Sequence, residues 1–179
     1  ITPNYSILFD FNFAFNMQDL FKGKPPWSHV AGEPARFAIL PRFAKDESEV
    51  KWFEIPACCV FHMPGAWEED TPEGKVIVVL GNRSASPTVS DVAGKAPPEF
   101  LTEWRFNVDT GCVLSERRLT DTYMAFPVIN AERDGTPVQF VYGSTVVAHE
   151  VAVQKGWLAE GQDSFPVFDG VCKVDARAG

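Results

Sequence analysis

The chain has 179 residues, 45% hydrophobic and 13% aromatic, with 15 phenylalanines. That is enough for one globular domain with a buried core, and residues 1–179 are read as one part of a single domain. The formal charge is −8 at pH 7 and the pI is near 4.9; an acidic surface repels phosphate, which excludes nucleic acid as a partner.

The first residue is Ile, and the chain enters strand-like sequence at once, as expected of a piece of something longer. No signal peptide is read there. "YSILFDFNFAF" alternates: Tyr5, Ile7, Phe9, Phe11, Phe13 and Phe15 share one face, and Ser6, Leu8, Asp10, Asn12 and Ala14 the other. Period two over that length predicts one half-buried strand with its phenylalanines in the core. "NMQDLFKG" predicts a helical turn closed by Gly23, the one helix expected. "GKPPWSHVAGEP" is a loop rich in breakers.

Short strands follow: "RFAIL", "VKWFEI", "CCVFH", "KVIVVLG", "LTEWRFNV", "CVLSERRL", "FPVIN", "PVQFVYGSTVV" and "GVCKV". "DTG" at 109–111 predicts a hairpin, and "ERDGTP" at 132–137 joins the next pair. "FNVDTG" is weakly echoed by "CKVDARAG". Recurrent antiparallel units fit propeller blades, and a sandwich gives much the same pattern. "VAVQKGWLAEGQDS" at 151–164 follows neither period and reads as a surface excursion. No apolar run reaches the roughly 18 residues of a membrane-spanning helix.

Cys58, Cys59, Cys112 and Cys172 include no CxxC, and neighbouring cysteines on a strand point to opposite faces. All four read as reduced thiols, mostly in the core, as suits an intracellular compartment. The histidines are His29, His62 and His149. His62 stands in an apolar run, "CCVFHMPGAWEED". By itself it reads either as a hydrogen-bonded core histidine or as a metal ligand. Glu68 and Glu69 read as a solvated loop rather than an acid–base pair, His29 and His149 as surface residues, and Trp52 and Trp67 as packing.

"ARFAILPRFAKDESEVKWFEIPACCVFHMPGAWEED", followed in order by "LTEWRFNVDTG", "AFPVIN" and "FDGVCKVDARAG", resembles the carotenoid cleavage oxygenases, including the 9-cis-epoxycarotenoid type. The likeness spans nearly the whole chain. It implies an all-β fold, a seven-bladed β-propeller of which this chain covers roughly three blades. It implies iron(II) on the axis, held by four histidines, with dioxygen and a carotenoid at the open positions and two carbonyl products. Neutral imidazoles suit iron, and an apolar tunnel fixes which bond lies over it. His62 matches the third ligand; the others are expected before Ile1 and after Gly179. Phe61 matches a tunnel-lining, substrate-binding position. Ala125 stands where the family has a supporting glutamate, and Gly65 where it has asparagine.

The resemblance further implies a plastid or cytoplasmic protein, with any peripheral membrane contact made by parts outside this chain. Two alternatives are a non-catalytic propeller binding apocarotenoid or protein, favoured by Ala125 and Gly65, and an unrelated sandwich-type binding module.

Overall fold

The structure is a computed structural model. It describes residues 1–11, 13–23, 26–29, 33–84, 98–159 and 167–178, with the backbone alone for 13, 14 and 27–29. Three antiparallel sheets carry it. The first joins β1 (Tyr5–Asp10), β4 (Ala35–Pro41) and β5 (Lys51–Ile55); a two-stranded ribbon, β2 (Phe13–Phe15) with β3 (Trp27–His29), adjoins it in sequence. The second joins β10 (Cys112–Arg118), β9 (Glu99–Asn107) and β8 (Gly74–Ser84), whose far edge pairs with both β6 (Cys59–Val60) and β7 (Gly65–Thr71). The third is β11 (Met124–Val128), β12 (Phe140–Val147) and β13 (Val167–Asp175).

The middle sheet sets the packing. Successive side chains on a strand leave by opposite faces, and "KVIVVLG" is apolar on both. Ile77 and Val79 join Phe37, Phe53, Trp104 and Phe106 in a core shared with the first sheet. Val76, Val78 and Leu80 join Leu101, Met124, Val141 and Val174 in a core shared with the third. Phe37 is central to the first core: its ring lies 5.1 Å from that of Phe106, 5.4 Å from Trp104 and 5.7 Å from Phe11.

The hairpin at "DTG" forms as expected. Gly111 takes φ +75°, its N–H bonds the Asn107 carbonyl, and the Asn107 side chain accepts from the N–H groups of Asp109 and Thr110. The echo in "CKVDARAG" is partial: there Asp175 itself accepts from the Arg177 and Ala178 N–H groups. The expected helix is α1 (Met17–Phe21), capped by the Asn16 side chain and closed at Gly23, φ +70°.

Several expectations change. "YSILFDFNFAF" is two strands, because residues 5–10 pair with β4 while residues 13–15 pair with β3. Phe11, between them, is buried, whereas Phe9 and Phe15 are exposed. The surface excursion begins with a second helix, α2 (His149–Gln154); six residues are too few to show a period, and Ala152 alone is buried. Its last part, 160–164, lies outside the described residues. Cys58 and Cys59 are buried, but Cys112 is exposed and Cys172 half-buried. Trp67 is core, yet Trp52 is half-exposed beneath the Arg36 guanidinium. His149 is half-buried with its Nδ1 shielded from solvent. The exposure expected of the His29 side chain falls outside the described residues.

Phe37→Ala should cost about 3–5 kcal/mol, because it empties the ring cluster that joins two sheets. A lower urea midpoint with an unchanged slope is the expected outcome.

Candidate functional site

His62 sits in a break between β6 and β7. Both strands pair with the same edge of β8, Val60 opposite Arg83 and Gly65 opposite Leu80. Four residues, Phe61 to Pro64, therefore face two, Gly81 and Asn82. The excess must leave the ladder, as at a β-bulge. Pro64 has no N–H to give to it. Gly81 leaves room for the departing segment: a Cβ there would lie 3.0 Å from Val60 and 3.4 Å from Met63. One backbone bond fastens the break, from the Asn82 N–H to the His62 carbonyl at 2.9 Å.

A second break faces it. Between Ala125 and Val128 on β11 the register slips by one residue against β12. Phe126, in that slip, has φ +51°, the one non-glycine residue at positive φ among the described residues. A side chain pays a steric penalty there, which the surrounding structure must hold in place. The conformation carries the Phe126 ring to 4.9 Å from the His62 imidazole, tilted by 52°, and to 5.6 Å from Phe168. Phe61, one residue before His62, is half-exposed. Beside the breaks lies a cavity of about 560 Å³, lined in part by Ile7, Phe9, Met63, Gly65, Pro127 and Ile129.

Asn82 joins the two breaks. It is fully buried, and its Nδ2 donates to the Met124 carbonyl at 2.7 Å, next to Ala125 and Phe126. Ala125 is buried, so the position next to Phe126 carries only a methyl group. Gly65 is required by space: a Cβ would come within 2.7 Å of Ile129 Cδ1. Among the described residues, no three His, Cys, Asp or Glu side chains are grouped so as to hold a metal ion.

Glu68 and Glu69 are not in a loop; both lie on β7 and bind distant partners. Glu68 accepts from Thr2 Oγ1, the Asn4 N–H and Asn4 Nδ2, with the Lys75 ammonium at 3.7 Å. Burial raises its pKa, but these donors outweigh burial and hold it below the usual carboxylate value. Glu69 accepts from Trp67 Nε1 and pairs with Arg105; these likewise outweigh burial and hold it low. Glu68 ties the sheet to the N-terminal segment and Glu69 braces β7 against β9 within it, an arrangement unlike a reacting acid–base pair.

Phe126 and Asn82 escaped the sequence reading. "FP" inside a strand-like run was a signal for the first, since Pro resists the middle of a ladder. For Asn82, the signal was a polar residue at the end of a run apolar on both faces.

The comparisons agree over the whole chain. A family described as RPE65, retinal pigment epithelial membrane protein, matches residues 1–179. The chain is 37% identical over 186 residues to carotenoid 9,10(9',10')-cleavage dioxygenase 1 of Pisum sativum, covering 99% of this chain and 30% of that protein. It is 30% identical over 181 residues to 9-cis-epoxycarotenoid dioxygenase NCED6, chloroplastic, of Arabidopsis thaliana, covering 100% of this chain and 29% of that protein. Cobalt-substituted Synechocystis ACO superposes with a TM-score of 0.73 at 20% identity, over 99% of this chain and 35% of that one. The chain thus spans about three-tenths of the length of the curated relatives it matches.

Glu68→Gln should destabilise the protein by about 1–3 kcal/mol at neutral pH, because the buried Thr2 hydroxyl and the two Asn4 donors lose a charged acceptor. A carboxyl whose pKa is lowered on folding contributes stability above its unfolded pKa and loses it as pH falls through the folded value. The variant should therefore lose less stability than the wild type on acidification, read by urea unfolding at stepped pH.

Proposed function

The chain belongs to the family of the retinal pigment epithelial membrane protein, and from that membership we propose that it is a segment of an enzyme that cleaves a carotenoid or apocarotenoid oxidatively. In this reading dioxygen splits one conjugated double bond. Each carbon of the broken bond takes one oxygen atom, and the products are two carbonyl compounds, with no further reductant required. Relatives matched along the whole chain are named carotenoid cleavage dioxygenases, which supports the class. Residues 1–179 are assigned to one propeller domain that extends beyond them.

The observation that carries the reading is the placement of His62. It stands where two sheets meet, on a break that frees it from the ladder, against the ring of Phe126. We assign it as one ligand of iron(II). The donor fits in kind, since imidazole suits iron. The remaining donors must come from outside the described residues. When bound, iron(II) supplies the redox chemistry with dioxygen. The residues of this chain do the rest: Phe126 shields one side of the imidazole from water, and Phe61 and Phe126 offer apolar surface to a polyene. We place the whole protein in the plastid, as three relatives named chloroplastic support, with the cytoplasm as the alternative.

A second reading, a propeller that binds apocarotenoid without cleaving it, is favoured by Ala125, a buried methyl group at the position where the resemblance implies a supporting carboxylate. Ligating histidines ordinarily give their second N–H to such an acceptor.

In the full-length protein, iron should be close to one per chain, and a carotenoid should be converted to carbonyl products. His62→Ala should abolish both, while His29→Ala and His149→Ala should leave iron content unchanged. Metal analysis and product chromatography read the result. Normal turnover by His62→Ala would overturn the ligand assignment; iron bound without products would select the second reading.

A further inference from the structure

Glu99 is an acid that the proposed site does not use. It opens β9 opposite Ser84 of β8, which pairs in turn with Cys59 of β6. These three residues form a row across the sheet, at the end where the chain departs toward His62. Cross-strand neighbours share a face, so Glu99 points toward the third sheet, as Asn82 does.

Two atoms on this face are in difficulty. Glu99 Oε2 and Asn82 Oδ1 are both shielded from solvent and have no hydrogen-bond partner. The Asn82 amide cannot be turned round to cure this, because its Nδ2 must face the Met124 carbonyl. Glu99 and Asn82 are diagonal neighbours on this face, two positions apart along β8, which brings the amide within reach of the carboxyl. Two buried acceptors thus lie on adjoining side chains with no donor between them, an arrangement that costs about 1–3 kcal/mol for each unsatisfied group. One hydrogen satisfies both. If Glu99 Oε2 carries a proton it donates to Asn82 Oδ1, while the second Nδ2 hydrogen of Asn82 goes to Glu99 Oε1. Acid and amide then close a two-bond ring.

We propose that Glu99 is held protonated, and that this acid–amide pair positions Asn82 so that it fastens the His62 break to the Phe126 break. The surroundings agree. Burial pushes the Glu99 carboxyl up to about 7, against the hydrogen bond from Asn82. The titratable groups facing it are Cys59, pushed up to about 12 by burial, and Tyr123, also raised by burial. Among the described residues no cation acts on it: Arg83 leaves by the other face and pairs with Glu116, and Arg118 lies over Phe100 and pairs with Asp121. Ionised Glu99 would set a charge against Asn82 Oδ1 and loosen the side-chain amide that holds the Met124 carbonyl, on the residue whose backbone N–H holds the His62 carbonyl. Glu99 and Asn82 are positioning residues; neither is placed to touch substrate.

The consequence for the metal rests on the reading of His62 above, but the protonation does not. A carboxyl whose pKa is raised on folding gives stability that is complete below its unfolded value, near 4.5, and lost as pH rises through about 7. The test uses the full-length protein, its Glu99→Gln and Glu99→Ala variants, and infrared spectroscopy with thermal unfolding between pH 5 and pH 8. The wild type should show the carbonyl stretch of a buried, un-ionised carboxylic acid at pH 5.5. Both variants should lack it, and it should fade by pH 8. The wild-type unfolding midpoint should fall over this range, and both variants should lose that part of the slope. Iron retention should drop about tenfold or more in Glu99→Ala and be restored in Glu99→Gln, whose amide donates at every pH. Absence of the band from the wild type, or a wild-type slope in Glu99→Gln, would overturn the proposal and leave an ionised carboxylate met by buried water. A band and slope as expected in a protein that binds no iron would support the acid–amide pair while defeating the iron centre.

Discussion

Burial of both faces of one strand is the constraint around which this chain is arranged. β8 carries Val76, Val78 and Leu80 into one core and Ile77 and Val79 into another. A strand that is apolar on both sides must be covered on both sides, since each face left in water forfeits about 25 cal/mol per Å² of apolar surface. The first sheet covers one face with Phe37, Phe53 and Ile55. The third covers the other with Met124, Val141 and Val174. Strands stacked face to face in this way form successive blades, which accords with the propeller fold of the Synechocystis relative.

That packing also determines where irregular backbone can exist. A sheet in the middle of three cannot shed a strand without exposing its core, so β6 and β7 stay on the edge of β8 and the surplus residues between them are expelled. Pro64 and Gly81 make this possible locally. β11 does the same with Phe126 and Pro127 on the facing sheet. The two irregularities meet, and the meeting point holds an imidazole, an aromatic ring and a buried amide. A regular ladder would have kept all three in fixed alternation, half of them pointing into the wrong core.

Charge is handled away from this point. Glu68 and Glu69, on β7, are drawn down in pKa by Asn4, Thr2 and Lys75 in one case and by Arg105 and Trp67 in the other. Within the middle sheet, Arg83 of β8 reaches across β9 to Glu116 of β10, and Arg117 of β10 pairs with Glu103 of the neighbouring β9. Pairs as exposed as Arg118 with Asp121 add little stability. Glu99, buried and with no cation acting on it among the described residues, lies beside Asn82, which links the two breaks.

The amino-acid sequence by itself determined the fold class, the hairpin at 109–111, the short helix closed by Gly23, the family, and His62 as the residue to watch. Each of these rests on signals confined to a few neighbouring residues: alternation, a turn glycine, a helix cap, an ordered motif. It misjudged "YSILFDFNFAF", because alternation reports which side chains share a face and is blind to which partner strand each half will pair with. It placed Glu68 and Glu69 in a loop, because an acidic run reads as solvated, while the partners that hold these carboxylates on β7, Thr2, Asn4 and Arg105, lie far away in the chain. Only the tertiary structure decided the positive φ of Phe126, the apposition of its ring to His62, and the orphaned oxygens of Asn82 and Glu99. These depend on how two sheets approach one another, and that distance is set by the whole of the packed core rather than by any local run of residues.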